Sequence, residues 1–256
     1  MKSLAKKAKI YITGDCHGDY ARFSKQRFPE QENMTRDDFV IILGDFGYWD
    51  NSPEQVYQRS WLSELPFTLL FVDGNHENYD MLDALPVESW MGGKIQKISE
   101  NIFHLMRGEI FDIGGLRFFA MGGAASHDIQ DGILDPNDKS FKRKKAALDR
   151  RFGMYRVLGR SWWARELPNE VEYARAERNL NAVNNEVDYI LSHDCSTQIM
   201  DIIGRGMYVP SKLNDWFQKN IEEKVNYRQW LFGHHHDNRI IGKHVMLYKQ
   251  IVKMQR

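Results

Sequence analysis

Apolar residues in the first third of this chain come in short solid runs, each ending on glycine beside a polar residue. Ile10-Tyr11-Ile12-Thr13 runs into Gly14-Asp15, Val40-Ile41-Ile42-Leu43 into Gly44-Asp45, and Phe67-Thr68-Leu69-Leu70-Phe71-Val72 into Asp73-Gly74-Asn75. Runs of this length are short for helices and lack polar alternation, so they predict strands buried on both faces. Between them, residues 20–28 predict a short helix closed by Pro29. Residues 53–65 predict another, with Ser52 as N-cap and Pro53 in its first turn. Strand–helix alternation of this kind predicts a parallel sheet built from right-handed crossovers.

After Pro86 the pattern shortens. Residues 94–98, 102–106, 109–113 and 116–121 predict strands, with Gly114-Gly115 as a hairpin turn, so a second sheet or an antiparallel flank packs on the first. The region from Gly122 to Asp188 is the least regular, although Tyr173, Ala176, Leu180, Val183 and Val187 predict an amphipathic helix over 169–186. A buried strand at 187–191 then leads into Ser192-His193-Asp194-Cys195. A helix over 214–224 follows, then a strand over 228–232 ending in Gly233-His234-His235-His236. A hairpin of Ile240-Ile241 and 245–248 closes the chain. Without a repeat or linker, this reads as a single α/β domain, 1–256, with an embedded insertion at about 124–187 packing near the active-site face.

Composition narrows the partners. Lysine plus arginine and aspartate plus glutamate balance at 35 each, so no global field favours nucleic acid or an anionic membrane. Two cysteines, Cys16 and Cys195, form no disulfide framework and suit packing in a reducing compartment. Residues 1–9 are basic, but the apolar run behind them is too short for a signal-peptide core, and none approaches the roughly 20 residues of a membrane span. The expected location is the cytoplasm.

The strand ends carry the chemistry. Asp15/His17, Asp45, Asn75/His76, His193 and His234/His236 each place a carboxylate, amide oxygen or imidazole where open α/β sheets hold their ligands. Any one of these alone is equally a turn former, a helix cap or a core histidine. Together the donors suit Mn, Fe, Zn or Co, and seven of them exceed one tetrahedral ion but suit two ions sharing a bridge. Two further clusters stay open. Lys142-Arg143-Lys144-Lys145 with Arg150 and Arg151 is either a phosphate-facing patch or a solvated helix face. Trp162-Trp163 with Arg160 and Arg165 is either a substrate platform or packing for the insertion.

The segments GDCHG, GDFG, GNHE, SHD and GHHH, spread over residues 14–236, resemble the five signature blocks of the calcineurin-like metallophosphoesterases (D-x-H, G-D, G-N-H-[DE], H, G-H-x-H) in the same order. The resemblance implies two packed mixed β-sheets flanked by helices, an α/β/β/α sandwich. Asp15, His17 and His236 would bind one divalent metal and Asn75, His193 and His234 the other, with Asp45 bridging. His76 would stabilise the transition state and protonate the leaving oxygen. The implied activity is hydrolysis of phosphate esters through a dinuclear centre, manganese leading among its metals, and a metal-bridging hydroxide. Monoesters rank slightly ahead of diesters, the substrate being a small molecule, nucleotide or phosphoprotein. A non-catalytic scaffold should have lost some of these residues, and here every block is filled.

The protein Ser/Thr phosphatase branch carries GDYVDRG and RGNHE at the second and third blocks. This chain has Phe46 to Asp50 and Asp73 there, so both phosphate-gripping arginines of that branch are absent, and Tyr48 stands where the acidic partner of His76 belongs. Asp50 is the candidate substitute, and Arg160, Arg165 or the 142–151 run the candidate phosphate grip. Alternation along the last block turns His235 away from the metals. His104, His127 and His244 read as ordinary residues.

Overall fold

The predicted strands form because their apolar runs are sandwiched. A computed structural model of the chain describes residues 7–48 and 50–254. The basic start up to Lys6, and Trp49 in the second block, lie outside the described residues. The first sheet is built from β1 (Ile10–Thr13), β2 (Phe39–Leu43), β3 (Thr68–Val72), β4 (Val87–Trp90), β5 (Gly93–Ser99) and β6 (Ile102–Leu105). The second begins with the hairpin β7 (Glu109–Ile113) and β8 (Leu116–Met121). Beyond a two-stranded ribbon, β9 (Ile133–Leu134) with β10 (Arg156–Val157), it continues through β11 (Tyr189–Ser192), β12 (Gln229–Phe232), β13 (Arg239–Ile241) and β14 (His244–Met246). The last strand, β15 (Val252–Lys253), returns to pair with β1, giving the orders β15-β1-β2-β3-β6-β5-β4 and β13-β14-β12-β11-β8-β7. Strands β1, β2, β3 and β6 are parallel, as are β8, β11, β12 and β14, while the margins are antiparallel. Both sheets are therefore mixed.

Strand parity divides the core. Phe39, Ile41 and Leu43 of β2 face the second sheet and meet Phe118, Ala120 and Leu191 in a shared apolar layer. Val40 and Ile42 face outward, onto Phe23, Phe28, Leu62 and Leu65. On the other flank Phe119, Ile190 and Trp230 meet Tyr173, Leu180, Leu213 and Phe217. Two sheets with helices outside both make the α/β/β/α sandwich. No helix among the described residues is long and apolar enough to cross a membrane.

Several elements depart from expectation. Residues 20–28 hold only the short turn Ala21–Phe23, because Ser24 is extended and Phe28, ahead of Pro29, is pushed off helical geometry. The insertion helix spans Glu170–Ala182, opened by an Asn169/Glu172 capping box and stopped before 186 by left-handed Asn184 and Asn185. The helix expected over 214–224 starts at Lys212, where Ser211 and Asn214 cap each other, and widens into an i→i+5 turn over Gln218–Glu222. The basic run 142–151 is largely helical, Phe141–Arg150. Four short elements lacked a readable period: the helices Tyr79–Asp83 and Thr197–Gly204, β4, and the β9–β10 ribbon.

Candidate metal centre

All five strand-end clusters sit at the carboxyl ends of parallel strands, and the ends of the two sheets meet. β1 delivers Asp15 and His17, β2 Asp45, β3 Asn75 and His76, β11 His193, and β12 His234 and His236. Cross-sheet hydrogen bonds set the junction: His193 Nδ1 donates to the Leu43 carbonyl at 2.7 Å and the His234 backbone N–H to Asp15 Oδ1 at 3.0 Å. Glycines make the approach possible. A side-chain carbon on Gly44 would lie 2.0 Å from His193 Nδ1, and one on Gly233 2.3 Å from Asp15 Oδ1. His17, Asp45, His234 and His236 adopt left-handed backbone (φ 48 to 66°), which L-residues enter at a cost of about 1–3 kcal/mol each and which tends to mark functional sites.

Donor atoms converge. His17 Nε2 lies 2.9 Å from His236 Nε2, 3.7 Å from Asp15 Oδ2 and 3.6 Å from Asp45 Oδ2. On the other side, His193 Nε2 lies 3.2 Å from Asn75 Oδ1 and 3.3 Å from the same Asp45 oxygen. Ligands about 2.1 Å from a shared ion stand roughly 3.0–3.4 Å apart, so the His193 group matches the spread of a coordination shell, while His17 stands slightly farther than that from both carboxylates. Because Nδ1 of His193 is spent on Leu43, Nε2 is the ring atom left to face Asp45 and Asn75. Asp15 Oδ2 and His234 Nε2 are buried with no hydrogen bond among the described residues, although His236 Nε2 is 3.0 Å from the former. Such atoms are costly to bury unless a cation accepts their lone pairs.

The electrostatics asks for positive charge. Burial opposes ionising Asp45, yet His193, His76 and His17 hold its carboxyl well below the usual range. Burial likewise opposes a charged His193, but Asp45 and Asp15 push it up to about 10. Desolvation brings His234 down to about 3, leaving a neutral imidazole with a free lone pair. A cation taking the place of the His193 proton would leave deprotonated carboxylates beside neutral imidazoles, the form in which these residues bind divalent metal.

Comparison with known proteins gives the family. The family model described as calcineurin-like phosphoesterase matches residues 8–238. The chain belongs to the calcineurin-like phosphoesterase family. Among curated relatives, a lariat debranching enzyme A from Xenopus laevis is 22% identical over 234 residues, 85% of this chain and 38% of its own length. Lariat debranching enzymes from Caenorhabditis briggsae (26%, covering 77% of this chain and 38% of the relative) and Homo sapiens (24%, covering 50% and 25%) are similar too. The chain thus spans well under half the length of these relatives. As a family member it is a phosphoester hydrolase, and its strand ends hold residue groups able to bind divalent metal.

Beside this centre the phosphoesterase has a cleft of about 780 Å³, lined by His17, His76 and His236 and by Asp128, Arg156, Arg160 and Trp163 of the insertion. The four residues expected as a substrate platform separate. Arg160 and Trp163 reach the cleft, though Trp163 is buried and its Nε1 donates to Asp80 at 2.9 Å. Trp162 and Arg165 are outside the lining, Arg165 being engaged by Asp83 and Glu172 at 3.3 Å each. Asp50 lines the cleft, but its carboxylate caps the Ser52 N–H at 2.8 Å.

Other groups hold the centre in shape, Glu77 of the third block among them and the rest outside the blocks. Asn75 Nδ2 donates to Ser126 Oγ at 3.2 Å, which donates to Glu166 at 2.6 Å, so the insertion turns the Asn75 oxygen toward His193. Glu77 accepts the backbone N–H groups of Phe46, Gly47 and Tyr48 and fixes the loop after Asp45. Behind Gly74, Asp73 binds Arg107 at 2.6 Å and His104 at 2.9 Å. The His127 ring lies against His234, tilted by 36° with the centroids 4.9 Å apart. His235 turns from the donor cluster to Asp194, 3.2 Å away.

Proposed function

We propose that this chain is a metal-dependent phosphodiesterase with a dinuclear centre. Asp15, His17 and His236 hold one divalent cation, Asn75, His193 and His234 the other, and Asp45 lies between. The observation that carries this reading is the position of Asp45 Oδ2, within 3.6 Å of His17 Nε2 on one side and 3.3 Å of His193 Nε2 on the other. When bound, the two cations would supply charge for the phosphoryl oxygens and activate water, and the mixed oxygen and imidazole donors suit manganese, iron, zinc or cobalt, with manganese the first to test. His76 stands over the cleft. Its Nε2 proton passes to the leaving oxygen as the P–O bond breaks, while its backbone N–H holds Asp45 Oδ1 at 2.8 Å.

A diester is favoured over the monoester expected from the sequence, because the similar curated proteins are lariat debranching enzymes. The neutral net charge, which argued against nucleic acid, does not weigh against a local contact at the cleft. The two buried free thiols support a reducing, cytoplasmic setting. Manganese-loaded protein should hydrolyse bis(p-nitrophenyl) phosphate faster than p-nitrophenyl phosphate and stop with chelator. No bound metal and no chelator-sensitive turnover would sink the enzyme reading, and a clear monoester preference would sink the diester one.

A further inference from the structure

We propose that Arg156, aimed by Asp128, is the side chain that grips the scissile phosphate. This rests on the phosphoesterase reading of the centre and assigns a task to the insertion. The protein phosphatase branch grips phosphate with arginines of its second and third blocks, and this chain has none there. Arg156 comes from elsewhere, on the β9–β10 ribbon, where it pairs with Ile133 and its N–H donates to Gly132 at 3.2 Å. The ribbon's other strand thus backs it, and the next residue, Val157, is tied to Ser161 Oγ at 2.9 Å.

The guanidinium is oriented by its side edge. Nε donates to Asp128 Oδ1 at 2.9 Å and Nη2 to Asp128 Oδ2, the bidentate geometry that locks an arginine plane. The end edge faces the cleft: Nη2 donates to His76 Nε2 at 3.2 Å, and Nη1 has no partner among the described residues. A guanidinium offers two such edges, so an arginine docked on a carboxylate through one can still clamp phosphate through the other. A phosphate oxygen entering beside this pair would take over the Nη2 donor from His76 and meet the free Nη1, and a proton taken up at His76 Nε2 would add a second donor next to it. Arg160 also lines the cleft but is exposed, with its side chain free of a comparable clamp.

The rival possibility is that the Arg156–Asp128 pair only ties the insertion down. Calorimetric titration of inorganic phosphate into manganese-loaded protein separates the two, with metal content and melting temperature followed in parallel. Arg156→Ala should weaken phosphate binding about tenfold or more and cut kcat/KM on the diester by about 10²-fold, with metal content intact and partial rescue by guanidinium. Arg156→Lys should recover little of the affinity, because it keeps the charge and loses the fork. Asp128→Asn should fall between wild type and Arg156→Ala. Phosphate bound as tightly by Arg156→Ala as by wild type would overturn the proposal. So would wild type that hydrolyses diesters without binding phosphate. If Arg156→Ala fails to fold, Arg156→Lys decides on the same criterion, wild-type phosphate affinity counting against. A wild type that takes up no metal and turns over no ester would instead overturn the phosphoesterase reading beneath it.

Discussion

At the scale of single residues, the centre depends on side chains being absent as much as on those present. A carbon on Gly74 would lie 2.1 Å from Asp45 Oδ1, and flexible relief is unavailable because that oxygen also accepts the His76 N–H. Gly74→Ala should therefore push Asp45 off its position and lower bound metal by half or more, read by elemental analysis. His76→Ala tests the opposite separation. It removes the imbalance of charge and proton supply without touching a donor of the proposed metal shells, so metal content should stay while turnover falls at least about 10²-fold. Equal turnover would take His76 out of the mechanism. Burial pushes the Cys16 thiol up to about 12, and Cys195 is raised by the same cause. Both thiols should thus resist Ellman's reagent at neutral pH in the folded protein and react in denaturant. Donors such as Asp15, His17 and Asp45 were readable because each follows its strand within a few residues and has glycine beside it. Arg156 and Asp128 were not. Their partnership joins positions 28 residues apart inside a segment with no period, and nothing local to either marks it.

At the scale of elements, one buried arginine gathers several of the insertion's ties to the body. Arg107 follows β6, donates to Asp73 at 2.9 and 2.6 Å, and reaches the carbonyls of Arg165 and Glu166 at 2.8 and 3.3 Å. It also meets Glu172 at 3.3 Å, so one side chain fastens the end of β3 to both the turn and the helix of the insertion. Burial alone would raise the Asp73 carboxyl, but Arg107 and His104 overrule it and hold it well below its usual value. Arg107→Met leaves a buried carboxylate with the hydrogen bonds from His104 and Tyr79 but without its arginine, and should cost about 3–5 kcal/mol in urea unfolding. The sign with pH follows. Asp73 is depressed in the folded protein, so its contribution is complete above the ordinary carboxylate value and fades as pH falls below about 4. The gap between wild type and Arg107→Met should narrow there. Strands were legible at this scale because two-sided burial writes solid apolar runs. The helix over 20–28 was overestimated because local apolar spacing said nothing of Ser24 turning extended.

At the scale of the whole molecule, the proposed donors come from β1, β2 and β3 of one sheet and β11 and β12 of the other, so binding metal would couple the two sheets. The apolar layer between them is continuous, but their site ends are joined by few direct bonds, notably His193 to Leu43 and His234 to Asp15. Two carboxylates and four imidazoles facing one another there are costly without positive charge between them. A ligand that binds the folded chain alone, present at 100 to 1,000 times its dissociation constant, adds about 2.7–4.1 kcal/mol. For a chain of this length that corresponds to roughly 5–15 °C in melting temperature. Chelator should therefore lower the melting point of manganese-loaded protein by that amount, and excess manganese should restore it. His76→Ala should shift as wild type does, since it leaves every proposed donor in place. Asp45→Asn should shift little, having lost the carboxylate that both groups of donors face, and its chelator-treated form should melt near wild type's or above, because a buried charge is gone. A chelator effect equal in wild type and Asp45→Asn would mean that the cation stabilises the fold from somewhere other than this junction.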